Sequence, residues 1–414
     1  MPLDFSVIEK FTLDYQEALN NKLLLRQERC RILAILRDNL KILLEDYELF
    51  EKNISSYLID KIKRATTYKE LKEFHKKAIE NIKTFFLDSQ TVLDVHDLLL
   101  MIRDAIRVRV LELVEEEVNS RFEFKSLPAE YAWIGLGSEG RNEETFVTDQ
   151  DNMIIYGSGN GKYKTDVIEE YYEAFSKKAV DRLVEAGFKK CKAGIMPSGE
   201  KWRGSDQAWK NRLEDRIVFR KGIFKDPDII IFSDARLVKG NKALFDEVLM
   251  FFFSLLSNNN HIMKDFIRSA VFMPTAIVFF GKFRVEKRGY YKDRFNIKLM
   301  GWIPLVMSVR MLALSNGIYN ETNTLKIIGM LKEKGLIDKD MEKNLTDACL
   351  TFMNFRLMNQ IKRFGCKKNG VADIDYVRPD MSGQASLEEM RMSMKSVEAF
   401  QKHIEELMLS GQPT

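Results

Sequence analysis

The chain has 414 residues, of which 45% are hydrophobic and 30% charged. That is long enough for two or three domains and excludes a disordered chain. Its 65 basic and 61 acidic residues leave a formal net charge of +4, too even a balance to predict a general nucleic-acid footprint. The four cysteines, Cys30, Cys191, Cys349 and Cys366, are scattered without CxxC spacing, so neither a disulfide framework nor a zinc site is expected.

The first eleven residues carry two acids and no long apolar core, which argues against a secretory signal. Residues 1–126 contain one proline, at position 2, and no glycine. Apolar residues recur there at three- and four-residue spacing, as at Ile32, Leu33, Leu36 and Leu40, and again at Leu98, Ile102, Ile106 and Val110. The spacing predicts several long helices, with His96 on a helix surface. Pro128 in SLPAEY marks a helix end and the start of a second region.

Residues 127–240 differ in kind. AWIGLG and NMIIY are short, apolar and β-prone, and DIIIFSDARLV is read as a further β-prone run. Between them, residues 165–187 form one amphipathic helix closed by Gly187. From 241 to 414 the pattern returns to helices ending at glycines, as an antiparallel bundle would. The apolar runs near 248–256 and 271–281 are too short to cross a bilayer, so no membrane contact and a cytoplasmic location are expected. The fold class expected is α+β: a small mixed-sheet domain at 127–240, flanked by an N-terminal helical region and a C-terminal helical bundle.

Residues 135–152, GLGSEGRNEETFVTDQDN, carry the chemistry. Gly137 lets the backbone approach a ligand closely, and Ser138 adds a hydroxyl. The polar stretch after them can begin a helix whose free N–H groups favour an anion. Asp149 and Asp151, at i and i+2 on a strand edge, point the same way and would repel unless a cation lay between them. Mg²⁺ suits such a pair, because it is held by one or two carboxylates plus substrate phosphates. Taken alone, the two aspartates read equally as a solvated turn. A third carboxylate would position the attacking hydroxyl. Asp234, after IIIFS, is the best placed for it, with Asp226 and Asp228 as rivals that look like turn residues around Pro227.

The stretch GSEGRNEETFVTDQDN resembles the signature of a branch of the DNA polymerase beta-type nucleotidyltransferase superfamily: signal-transduction nucleotidyltransferases related to the PII-protein uridylyltransferases. GIMPSGEKWRGSDQAWKNRLEDRI, FSDARLVKG and FNIKLMGWIPLVMSVRMLAL resemble further segments of that branch, so that the likeness covers roughly residues 95 to 405. It implies triphosphate binding by Gly137 and Ser138, metal binding by Asp149 and Asp151, and Asp234 as third carboxylate and metal ligand. Arg141 then reads either as a phosphate clamp or as a helix-surface arginine. Trp202, Arg203 and Ser205 read either as the lining of a nucleotide or acceptor pocket or as loop anchors, and Lys298 and Arg310 either as cleft or as surface residues. The implied reaction is Mg²⁺-dependent transfer of a nucleoside monophosphate from a nucleoside triphosphate such as ATP or UTP to a hydroxyl, that of a protein by analogy with the uridylyltransferases, with release of pyrophosphate. A small-molecule acceptor and a non-catalytic nucleotide-binding regulator are the alternatives, and no nucleic-acid partner is expected. With four histidines in all, no counterpart of the hydrolytic domain of the uridylyltransferases is expected in these residues.

Overall fold

A computed structural model describes residues 25–52, 57–89, 91–159, 161–278, 281–364, 374–379 and 384–410. The leader reading of residues 1–11 and the thiol of Cys366 lie outside them. The chain divides into two compact units, one of residues up to Val110 with Glu185–Gly187, the other of Leu111–Val184 with the remainder from Phe188.

The first unit is helical, as the spacing predicts: α1 (Arg26–Lys52), α2 (Ile59–Arg64), α3 (Tyr68–Ser89) and the start of α4 (Val92–Phe122). The Glu70 carboxylate accepts the backbone N–H groups of Thr66 at 3.0 Å and Thr67 at 3.1 Å, and the Thr67 hydroxyl accepts from Glu70 N–H at 3.3 Å. This reciprocal box starts α3. Its inward stripe, Leu71, Ala78, Ile82 and Phe86, is fully buried, as are Val95, Leu99, Ile102 and Ile106 of α4. His96, expected on a surface, is buried as well, because it follows Val95 on the inward side of α4.

The second unit holds the mixed sheet. β1 (Tyr131–Gly135) leads into the one-turn helix α5 (Gly137–Gly140), then β2 (Asp149–Gln150) and β3 (Asn152–Tyr156). After α6 (Thr165–Glu185) come β4 (Lys189–Lys190), β5 (Arg203–Ser205), α7 (Asp206–Ile217), α8 (Asp226–Phe232) and β6 (Arg236–Gly240). The four-stranded sheet has the order β5-β3-β1-β6. β1 is antiparallel to both neighbours, with Gly135 opposite Asn152, while β3 and β5 run parallel. Tyr131 and Trp133 of β1 meet Phe175 of α6. A second ring cluster, Trp202, Trp209, Phe224 and Phe232, joins β5, α7 and α8, and Phe232 carries it on to Phe252. The Trp209 indole N–H donates to the carbonyl of Ile154 at 2.9 Å, so that this polar handle is satisfied within the core.

The C-terminal part contains α9 (Lys242–Ser257), α10 (Asn260–Val271), the short strands β7 (Ile277–Val278), β8 (Lys282–Phe283) and β9 (Phe295–Asn296), then α11 (Ile303–Ser315), α12 (Thr324–Glu333), α13 (Lys339–Phe364), β10 (Tyr376–Val377) and α14 (Gln384–Ser410). One stretch, Lys298–Ser315, is long and apolar enough to cross a membrane by composition, although the apolar runs of the sequence looked too short for that. It is the central helix of this part: Leu305, Val309, Met311, Leu312 and Ala313 are fully buried. That burial accounts for its apolar composition on all sides.

Candidate active site

The motif is fastened at its start by the sheet. Every residue of β1 is buried, and just past it the Leu136 N–H donates to the carbonyl of Asp151 at 2.8 Å. Gly137 has φ +55°, in the left-handed region that a side chain disfavours. A Cβ on Gly137 would lie 3.1 Å from Oδ2 of Asp151. The Gly-Ser turn and the second aspartate are thus in direct apposition, with Gly137 and Ser138 half-buried.

The helix that the polar stretch begins is a single turn. Asn142 has φ 57°, a conformation that breaks a helix. Gly140 is wedged against the chain after α8: a Cβ there would sit 1.9 Å from the carbonyl oxygen of Asp234. Glu139, 1% exposed, accepts from the Asn152 amide at 3.0 Å on both carboxylate oxygens. This bond ties α5 to the strand that follows Asp151.

Asp149 lies on β2 opposite Lys189 of β4 and is half-buried. Asp151 lies where the chain passes from β2 to β3, and its Oδ1 is buried without a hydrogen-bond partner. Burial pushes the Asp151 carboxyl up to about 6; the Cys191 thiol and the charges of Lys298 and Arg141 oppose that rise and the neighbouring charge of Asp149 adds to it. A buried carboxylate oxygen with no donor, beside a second carboxylate and under a glycine, suits a divalent cation that takes its remaining ligands from phosphate and water. Among the described residues no group of three or more His, Cys, Asp or Glu is arranged to hold a metal ion, so such a cation would rest on this pair.

Asp234 is engaged elsewhere. The run IIIF before it is not a strand but helix α8, started by Pro227 in its first turn and by the Asp228 carboxylate, which accepts from the Lys225 N–H at 2.7 Å. Asp226 pairs with Arg216 at 2.7 Å. Asp234 follows α8, 5% exposed. Its Oδ2 accepts from Arg141 Nη1 at 2.5 Å, and its Oδ1 is 3.7 Å from Arg310 Nε. Arg141, 7% exposed, also donates through Nε to Glu143 at 2.7 Å. It is an internal crosslink rather than a helix-surface residue. Desolvation weighs against its charge, but Asp234 and Glu143 together hold its guanidinium protonated.

The same cluster is gripped from the C-terminal helices. Glu143 accepts the Thr324 N–H at 2.7 Å, Thr322 donates to the Gly140 carbonyl at 2.8 Å, and the Asn323 amide donates to the Arg141 carbonyl at 3.1 Å. Arg310 of α11 donates to Ser233 at 3.2 Å and to the Glu321 carbonyl at 2.5 Å. Gln360 of α13 donates to Thr145 at 2.8 Å and accepts the Val147 N–H at 3.0 Å. Residues 140–147, which lead from the Gly-Ser turn to the aspartates, are therefore held by the loop before α12 and by α13.

The remaining sequence candidates have internal partners. Trp202 is 2% exposed within its ring cluster. Arg203 donates to the Pro197 carbonyl at 2.8 Å. The Ser205 hydroxyl accepts from the Ala208 N–H at 3.2 Å, capping α7. Arg236 donates to the Glu139 carbonyl at 3.3 Å. The Gly-Ser turn and the aspartate pair are thus brought together; Asp234, Arg141 and Arg310 form a buried ion-paired group, and the charge of Arg141 also acts on Asp151. Sequence reasoning missed Glu139, Gln360 and the Thr322–Thr324 loop, because a polar residue inside a polar motif gives no periodic signal of burial.

Residues 76–220 match the family model described as "Putative nucleotidyltransferase DUF294", and residues 260–407 match the model described as "Putative nucleotidyltransferase substrate binding domain". The chain belongs to this nucleotidyltransferase family. No curated protein gives a significant match. The first model covers the Gly-Ser turn, both aspartates and α7; the second covers α10 to α14, hence Arg310, the Thr322–Thr324 loop and Gln360. In this nucleotidyltransferase the two matched regions therefore meet at residues 140–147. A nucleotide substrate and a substrate-binding domain follow from the family.

Proposed function

We propose that the protein transfers a nucleoside monophosphate from a nucleoside triphosphate, ATP or UTP, to a hydroxyl acceptor in the cytoplasm, with Mg²⁺ held by Asp149 and Asp151. The observation that carries this reading is the Asp151 carboxylate, whose Oδ2 lies under Gly137 and whose Oδ1 is buried without a hydrogen-bond partner. Gly137 and Ser138 accommodate the triphosphate, because no Cβ stands between the turn and the aspartate. An ion held by Asp149 and Asp151 would supply charge neutralisation on the phosphates. The acceptor oxygen bonds to the α-phosphorus as the α–β bridge breaks; pyrophosphate leaves and the acceptor proton passes to solvent. The protein's part is positioning and electrostatic preorganisation. Arg141, Glu143 and Asp234 act at one remove in this reading, holding the loop that carries the turn, and Asp234 is a positioning residue rather than a third metal ligand.

The test is incubation with each labelled triphosphate and Mg²⁺. Pyrophosphate release that disappears in Asp149→Asn and Asp151→Asn is the expected result, and release unchanged in either variant would overturn the role of that residue. A second reading, a regulator that binds nucleotide without turnover, is favoured by one observation: both carboxylate oxygens of Asp234 are engaged by arginines. Tight triphosphate binding without pyrophosphate release would establish it. The resemblance to the uridylyltransferases implies a protein hydroxyl as acceptor, and transfer of label to a protein in a host extract is the outcome that would support it.

A further inference from the structure

One loop carries a dense local excess of positive charge. Between Lys282 and Arg294, KFRVEKRGYYKDR carries six basic and two acidic side chains, an excess equal to the +4 of the whole chain. Lys282, Arg284, Lys287, Arg288 and Lys292 are exposed and Arg294 half-buried. None of the six forms an ion pair among the described residues. Exposed like charges held close together repel each other unless a partner neutralises them.

The loop is folded rather than trailing. Arg284 N–H donates to Ala276 at 2.6 Å, Glu286 N–H to Arg294 at 2.8 Å and Asp293 N–H to Glu286 at 2.9 Å, while Gly289 turns the tip at φ +79°. Aromatic rings are interleaved with the charges. Tyr290 is 61% exposed and stands edge-on to Tyr291, which stacks on Tyr376 at 3.8 Å. Phe283 stacks on Phe295 at 5.3 Å. The loop then runs through β9 to Lys298, whose charge acts on Asp151. The basic surface thus belongs to the part of the chain that matches the substrate-binding model.

We infer that the loop 282–294 is a docking surface for single-stranded nucleic acid, with the basic side chains on phosphates and Tyr290 stacked on a base. Phosphate neutralisation by lysine and arginine together with sequence-tolerant stacking on an exposed aromatic ring is the recognition mode of single strands. An acidic protein segment would use the charges but carries a π-face only where an aromatic residue falls, whereas every nucleotide of a single strand pairs a phosphate with a stacking base, which is why nucleic acid is favoured. The balanced overall charge hid this surface at the sequence level, where no such partner is expected. The inference concerns binding alone and stands whether or not nucleotidyl transfer occurs.

The test is fluorescence anisotropy of the full chain with a labelled single-stranded oligonucleotide of about 15 nucleotides, near the upper site size of single-strand grooves. With six phosphate contacts, affinity should fall roughly 340-fold as salt rises from about 50 to 200 mM. In Lys287→Gln/Arg288→Gln/Lys292→Gln the same change should be only about twentyfold. Tyr290→Ala should weaken binding about tenfold at fixed salt. Polyglutamate of matched charge should bind at least tenfold more weakly than the oligonucleotide. Equal binding of polyglutamate would identify an acidic-protein surface and overturn the inference, as would an unchanged affinity and salt slope in the triple variant, or no oligonucleotide binding at low salt. The three substituted side chains are exposed and their backbone bonds are untouched, so the variant tests the surface rather than the fold.

Discussion

Arg141 donates to Asp234 at 2.5 Å across 93 residues of chain, and both side chains are almost fully buried. Removing one member of such a pair leaves an uncompensated charge in the interior and costs about 3–5 kcal/mol. Asp234→Ala would leave Arg141 with Glu143 as its one carboxylate partner and take from Arg310 the carboxylate 3.7 Å away. It is therefore expected to lower unfolding free energy by that amount, measured by urea denaturation, with or without metal present. A carboxylate whose only task was to hold a metal would show the opposite pattern, with apo stability unchanged. The two outcomes separate positioning from ligation.

Gly140 tests the same junction by volume. An added methyl would meet the carbonyl oxygen of Asp234 at 1.9 Å, and backbone cannot turn aside as a flexible side chain can. Gly140→Ala should destabilise the protein by about 3 kcal/mol. Gly157→Ala is the matched control, since its nearest neighbour would be 3.8 Å away, and should change stability by less than about 0.5 kcal/mol. Equal denaturation midpoints for the two variants would contradict the packing described.

The thiols should separate by burial. Cys30 is exposed, whereas Cys191 and Cys349 are buried. Burial raises the Cys349 thiol well above its ordinary value, and burial together with Asp151 pushes Cys191 up to about 12. A raised thiol pKa means less thiolate at any given pH, and the thiolate is the nucleophile. At pH 8 iodoacetamide should modify Cys30 quickly and leave Cys191 and Cys349 unmodified until the chain is denatured, as read by peptide mass spectrometry. Rapid native-state labelling of Cys349 would show that its surroundings open.

Much of this arrangement was legible in the sequence, and the parts that were not share a physical cause. The helical regions, the strand before the motif and the Gly-Ser turn follow from periodicity and from glycine's conformational freedom, both local properties. The run IIIF was read as a strand because a short apolar run fits either element; Pro227 and the Asp228 cap decided for helix, and with that Asp234 moved from a strand to a helix end. The fates of Arg141 and Arg310 depend on partners 93 and 76 residues away, contacts without a local trace. The basic loop was overlooked because net charge averages over a chain, while a binding surface depends on where charge sits.

The metal reading has a consequence for stability that does not depend on turnover. A cation that binds the folded chain and not the unfolded one stabilises it by mass action, by about 2.7 kcal/mol at a hundred times its dissociation constant. The wild-type protein with Mg²⁺ and a non-hydrolysable triphosphate should therefore melt higher than the apo protein. Asp151→Asn replaces a buried carboxylate whose Oδ1 has no donor with a neutral amide of the same shape, so that the apo variant is expected to melt no lower than apo wild type. It should lose the metal-dependent rise, since the remaining carboxylate, Asp149, is half-exposed and on its own holds a hard cation weakly. Asp149→Asn should lose the rise as well, while Asp206→Asn, a half-buried carboxylate at the start of α7, should keep it. Differential scanning fluorimetry over a Mg²⁺ titration reads all four proteins, and a full metal-dependent shift in Asp151→Asn would remove this residue from the cation site.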